Sequence, residues 1–306
     1  MQKISAVSVA FVRFIKRSIL VIIAFSGFVP SELNGQNTIF WSVRDTSTGH
    51  QSYLLGTFHQ MGNHFADRLT VVIEALLESE LGIFESLGTP GEVQRIINAR
   101  SGSETWTQVL HKSDVTFLTK YSESWPVDID KVNPGELYIK LQQDYVVAKC
   151  GTVRNDDEFD HFDNYLVHLR SEAELEKIGL ETDSIQTLYI ADEWSTKEWS
   201  HFKKPIHKWV RLLDSKKPNL KYCSGSMQYR AMRFNYNLTA PCPDNVLITQ
   251  RNTEWMKTLP ELLHTQNCFV AVGLLHLFNE CGLITSLRKM GFLVDPIIKL
   301  TTSIDP

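Results

Sequence analysis

Two apolar runs, Ile39–Val43 and Tyr53–Phe58, flank the polar stretch Asp45–Gly49. Strand-like runs on either side of a turn-forming stretch predict a β-hairpin. From Asn63 the period changes: Phe65, Leu69, Val72, Ile73, Leu76 and Leu77 recur at helical spacing as far as Glu80. The run that begins at Leu81 and leads to Glu85 then reads as a further strand. Strand, loop, helix and strand in that order suit a parallel crossover. The order recurs near the far end of the chain. "CFVAVGLLH" (Cys268–His276) has the look of a buried strand and "NECG" is a loop. "LITSLRKM" is a short helix with Arg288 and Lys289 in its last turn and Gly291 as its stop, and "FLVDPII" is the returning strand.

Between these units the pattern is more polar and mostly helical. Pro134 suits the first turn of a helix running to Cys150. Further helices are expected near 92–100, 104–122, 158–177, 184–214 and 252–264. The expected fold is α/β (α+β), a single domain over residues 36–306. Its mainly parallel sheet is built from N- and C-terminal βαβ units, with a large helical insertion between them.

The 306 residues are 43% hydrophobic and 22% charged, enough to bury a sizeable core. A formal net charge of −4, with no long basic block, excludes nucleic acid as the expected partner. Residues 1–35 are different in kind. Lys3, Arg13, Lys16 and Arg17 precede an uncharged apolar run from Ser18 to Pro30, the layout of a secretory signal peptide and short for a membrane span. Cleavage after Gly35 would start the mature chain near Gln36; an uncleaved N-terminal membrane anchor is the alternative. Either places the remainder in an exported compartment, periplasmic or extracellular, touching membrane only through this segment. Export permits disulfides among Cys150, Cys223, Cys242, Cys268 and Cys281, with at least one thiol left over. Cys268 reads as a small hydrophobe within a strand. Cys223 and Cys242 bracket a polar loop and are the expected pair.

Chemistry enters where the strands end. His59 follows the first strand of the N-terminal crossover and Glu85 the second, so topology draws both to one edge of the sheet. If the second unit joins the same sheet in parallel, His276 reaches that edge too, where open parallel sheets bind ligands. Two imidazoles and a carboxylate leave room for water on a divalent metal. Each histidine lies three residues after a glycine, Gly56 and Gly273, which permits a sharp turn and close approach of a ligand. With 16 glycines and 10 histidines, about half of one Gly-x-x-His match is expected by chance. One copy means little; two copies, each after an apolar strand and before a helix, are more informative.

These phrases resemble the TraB/GumN family, whose exported members are related to the TIKI metalloproteases. The resemblance runs over essentially all of residues 36–306. It rests on "GTFH", "IFES", "GLETDSIQ" (Gly179–Gln186), "QRNTEW" (Gln250–Trp255) and "VGLLHLFNECGLITSLRKMGFLVDPI". The family's paired Gly-x-x-His motifs fall on Gly56/His59 and Gly273/His276. Its acidic residue after the first helix falls on Glu85, and its Arg-Asn pair on Arg251 and Asn252. Asp163 and Glu181 match further acidic positions. The resemblance implies a divalent-metal hydrolase, dependent on Mn or Co, that acts on a peptide or protein substrate; the ligand types admit Zn as well. GumN-like relatives are linked with polysaccharide biosynthesis, which makes that machinery a further candidate partner.

The reading that follows is an exported metal-dependent hydrolase, a TIKI-like metallopeptidase, with the metal held by His59, Glu85 and His276 and its water as nucleophile. Glu85 or Glu181 is the candidate general base where it is not a ligand. Arg251 is the candidate to position a substrate carboxylate or stabilise an oxyanion, against the bland alternative of a surface arginine at a helix start. Glu181 either holds a histidine tautomer or caps a helix with Thr182 and Asp183. His64 is read as solvated and His161 and His168 as surface residues of a charged helix. Trp194, Trp199, Phe202 and Trp209 are read as core. Asn237-Leu-Thr239 fits a glycosylation acceptor in a eukaryotic secretory pathway. The rival class is a non-catalytic surface or periplasmic protein binding a peptide, a polysaccharide or a cofactor in the same cleft. Such a module needs a complementary cleft rather than an open coordination position.

Overall fold

The computed structural model describes residues 37–300 except 89, 90 and 195. The segment read as signal peptide or anchor, 1–35, lies outside them. No described helix is long and apolar enough to cross a membrane. The strands are β1 (Phe40–Arg44), β2 (Gln51–Thr57), β3 (Leu81–Phe84), β4 (Lys177–Gly179), β5 (Cys268–Gly273) and β6 (Leu293–Pro296). They form one sheet in the order β4-β3-β5-β2-β1-β6. β1 runs antiparallel to β2 and β6, and every other pairing is parallel. The fold is therefore α/β with a mostly parallel sheet, as the sequence pattern implies.

Local chemistry fixes the hairpin. Asp45 Oδ1 accepts from the Ser47 N–H at 2.8 Å and Oδ2 from the Thr48 hydroxyl at 2.6 Å. Gly49 closes the turn at φ +83°, a left-handed conformation that suits glycine. The two crossover units are interleaved: β5 lies between β2 and β3, with all of its residues buried. Its register sets Gly273 beside Thr57 and Ala271 beside Phe84, while Phe84 also faces Gly179 of β4. The carboxyl ends of β2, β3, β4 and β5 thus share one edge.

Arg170 closes the other side of this arrangement from the helix Phe162–Glu172. Fully buried, it donates to the carbonyls of Leu76 and Ser79 at 2.7 Å each, to Glu80 at 3.0 Å and to Glu176. The first two lie at the end of the helix Thr70–Glu78, where unpaired carbonyls and the helix dipole favour a cation.

Several helices expected as single runs are pairs. The stretch 104–122 breaks at His111, which is extended at φ −69° and ψ 144°, into Thr105–Val109 and Lys112–Tyr121. Residues 184–214 divide into Asp183–Glu193 and Trp199–Asp214, and 252–264 into Arg251–Trp255 and Leu259–Thr265, where Pro260 opens the new helix. The helix expected over 158–177 ends at Glu172. Glu174 takes a left-handed φ of 54°, and Lys177–Gly179 pairs with β3 instead.

Two compact units result. Residues 88–152 and 182–223 form the helical one, and the sheet with its covering helices forms the other. In the helical unit Pro134 starts the helix Pro134–Lys149, with Glu136 accepting from the Asn133 N–H at 2.9 Å. Phe202 and Trp209 are core residues there. Each disulfide closes within one unit: Cys150 with Cys223 and Cys242 with Cys281. The expected Cys223–Cys242 pair is thereby corrected, because Cys223 is bonded to Cys150 and Cys242 to Cys281. Cys268 is a buried free thiol within β5, as its apolar surroundings suggest.

Gly56 owes its place to packing. A Cβ there would come within 2.6 Å of Leu274 Cδ1, 2.9 Å of Leu277 Cδ1 and 3.2 Å of the Leu274 backbone. The first Gly-x-x-His phrase thus receives the leucine of the second. Gly56→Ala is expected to destabilise the protein by about 1–3 kcal/mol through overpacking, read as a lower urea midpoint with an unchanged slope.

Candidate active site

The shared strand edge carries two adjoining polar groups inside the sheet unit. The first is centred on Arg251, the opening residue of the helix Arg251–Trp255 and only 1% exposed. Its Nε donates to Glu181 at 2.9 Å, and its Nη2 to Glu181 and to Glu85 at 2.6 Å each. Its Nη1 donates to the Leu247 carbonyl at 3.3 Å and to His276 Nε2 at 3.2 Å. All the N–H groups of the guanidinium are thereby used within the chain. Glu85 follows β3 and also accepts the Gly273 N–H at 2.6 Å. Glu181 follows β4 and accepts from Trp255 Nε1 at 3.1 Å, while the Trp255 ring lies under the guanidinium at 4.7 Å.

The tautomer of His276 follows from its neighbours. Asn252 spends its amide N–H groups on the carbonyls of His276 and Cys281, both at 3.0 Å. Its Oδ1 must therefore accept from His276 Nδ1–H at 2.6 Å, leaving Nε2 as the acceptor for Arg251. His276 is neutral: burial and the Arg251 charge push its pKa down to about 3 although Glu85 pulls upward. Burial works to raise Glu85, but Arg251 foremost, then His276 and His59, hold its carboxyl well below the usual range. Arg251 stays charged because Glu85 and Glu181 outweigh the cost of its burial.

The second group is His59, His161 and Asp163, all buried, with ligand atoms within 4.8 Å of one another. His59 Nδ1 meets Asp163 Oδ2 at 2.5 Å, and the Thr57 hydroxyl donates to Asp163 Oδ1 at 2.7 Å. The rings of His59 and His161 stack with centroids 4.8 Å apart. Burial pushes the His59 imidazole down, but the charge and hydrogen bond of Asp163 outweigh it and raise the pKa. Asp163 is held below its usual range in return, chiefly by His59 against burial. His59 also feels the charges of Glu85 and Arg251, so the two groups adjoin.

A family profile described as the TraB/PrgY/gumN family matches residues 39–296. The chain belongs to this family. No curated protein matches it at a significant level. In this TraB/PrgY/gumN member the edge gathers Glu85, Glu181, Arg251 and His276 into one hydrogen-bonded network, and pairs His59 with Asp163 and His161 instead. Arg251 sits at a helix start but is buried, and Glu181 is bound to it while Thr182 caps the following helix. His64 pairs with Asp157 at 2.6 Å and remains partly exposed. His161, read from the charged helix as a surface residue, is 8% exposed and stacked on His59. Its place as the residue before the helix Phe162–Glu172, two positions from Asp163, was the available signal.

Removing Arg251 would strand two buried carboxylates. Arg251→Ala is expected to cost about 3–5 kcal/mol at neutral pH, and adding Glu181→Gln should recover part of it, both read by urea unfolding.

The network also sets an acid limit. His276 titrates at about 3 in the fold against an ordinary 6.5, so below pH 6.5 the unfolded chain takes up the proton first and stability falls. Glu85, depressed from its ordinary 4.5, adds to the loss below that pH. With chelator present, the urea midpoint should decline steadily below pH 6.5. His276→Asn should flatten the part of that decline lying above pH 4.5.

Proposed function

We propose that this chain is an exported, metal-dependent hydrolase acting on a peptide or protein, with the ion held by His59, His161 and Asp163. The observation that carries the reading is this buried His-His-Asp group at the carboxyl edge of a parallel sheet, where such folds bind ligands. Mixed imidazole and carboxylate donors suit Zn, Mn or Co. Gln60, the next residue after His59, is buried with neither end of its amide partnered, which calls for water or ligand nearby.

His59, His161 and Asp163 would hold such an ion, with release of the proton between His59 Nδ1 and Asp163. The set expected from the sequence, His59 with Glu85 and His276, would require Arg251 to release both Glu85 and His276 Nε2. The His59–His161–Asp163 set leaves the Arg251 network intact and gives up only the His59–Asp163 hydrogen bond, and is preferred for that reason. A divalent ion there would supply Lewis acidity and acidify water.

The chain's own residues do the rest. Thr57 orients Asp163, and in the ion-free group Asp163 orients His59. His59 Nε2, without a partner among the described residues, is left to hydrogen-bond substrate. Glu85 and Glu181 are clamped by Arg251 and make weak bases, so they act as fixed negative charge beside the group. One observation favours the binding-protein reading: Arg251 retains no N–H for a substrate.

The test is metal content and cleavage of a peptide library for wild type, His161→Ala and His276→Ala after dialysis against Mn, Co or Zn. His161→Ala should hold one ion fewer than wild type and lose hydrolysis, while His276→Ala should match the wild-type metal content. Loss of the ion from His276→Ala alone would restore the set expected from the sequence. A wild type that holds no ion and cleaves nothing would leave the binding-protein reading in its place. Export is checked separately: N-terminal sequencing of the exported fraction should begin near Gln36.

A further inference from the structure

The helical unit contains a second group of metal-capable side chains that the reading above does not use. His111 precedes the helix Lys112–Tyr121, and Asp114 is its third residue, so the two lie one turn apart on the same side. His207 comes from the middle of the helix Trp199–Asp214. Its Nδ1 lies 2.9 Å and 3.0 Å from the two Asp114 oxygens. The His111 and His207 rings are 4.6 Å apart between centroids, and ligand atoms of all three residues lie within 4.8 Å of one another.

The burial is graded: Asp114 is fully buried, His207 half-buried and His111 exposed. A carboxylate withdrawn from water needs a cation or several donors. No lysine or arginine pairs with Asp114 among the described residues, and besides His207 its side chain meets only the Ser113 hydroxyl at 3.4 Å. His111 has no hydrogen-bond partner for either ring nitrogen among the described residues, and His207 has none for Nε2.

We propose that His111, Asp114 and His207 form a second site, for a borderline divalent transition ion such as zinc or cobalt. Two imidazoles and one carboxylate match that class, whereas calcium and magnesium prefer oxygen alone. The ion would answer the buried charge of Asp114 and tie the two helices together. Three protein ligands with one histidine exposed leave a coordination position open to solvent, unlike a closed four-ligand structural site.

The test is equilibrium dialysis of the full chain against zinc, with metal content measured. Wild type should bind two ions. A chain carrying His59→Ala and His161→Ala should bind one, and cobalt in place of zinc should give that remaining ion a visible ligand-field spectrum. Because His111 is exposed, His111→Ala leaves the packed interior untouched. Added to that background, it should weaken zinc binding by at least about tenfold, the lower bound seen even for partners one step removed from a metal. It should also abolish the cobalt spectrum. If the first site fails, wild type would bind a single ion and His111→Ala would remove it, which separates the two readings. A background chain that binds no zinc, or that keeps its ion unchanged without His111, would overturn the proposal.

Discussion

The sheet edge depends on one buried cation. Holding a guanidinium out of water is costly unless each of its N–H groups finds an acceptor. Arg251 meets that condition by drawing on residues from the ends of three strands and on a carbonyl of its own segment. Glu85, Glu181 and His276 come from distant parts of the sequence, and the demands of one side chain hold all three in place. Trp255 seals the arrangement from one side, over both the guanidinium and the His276 ring. An edge held in this way has little freedom to rearrange.

The two Gly-x-x-His histidines look equivalent in sequence and are opposite in character. His276 lies fully buried beside a guanidinium and is kept neutral, with both ring nitrogens committed. His59 lies beside a carboxylate that favours its charged form. The repeat therefore supplies one imidazole committed to the scaffold through both ring nitrogens and one held beside a carboxylate that favours its charge. The difference arises from the partner each ring meets, Arg251 in one case and Asp163 in the other.

Features set by neighbours in sequence were legible in advance, and features set across the fold were not. The hairpin at Asp45–Gly49, the strands β2, β3 and β5, and the proline start at Pro134 follow from local period and turn chemistry. β4 is a three-residue edge strand that exists because β3 offers it a partner, so its own residues carry almost no signal. His161 lies in a charged segment that reads as surface, and its burial is decided by His59, far away in the chain. Arg251 poses the same difficulty, since nothing beside it in sequence announces the two carboxylates that receive it. The cysteines mislead for a related reason: bracketing a loop says nothing about which compact unit each thiol joins.

Gly56 and Leu274 have a consequence for descent. The glycine of the first Gly-x-x-His phrase is small because the leucine of the second fills the space above it. A Cβ at Gly56 would also meet Leu277 Cδ1 and the Leu274 backbone, so trimming Leu274 alone would not make room for it. In a lineage of such chains this glycine should persist for as long as the second phrase packs over it, and a copy of either phrase transplanted alone would arrive without the surface that shapes it. What reads as a repeated motif packs as a single object in two pieces.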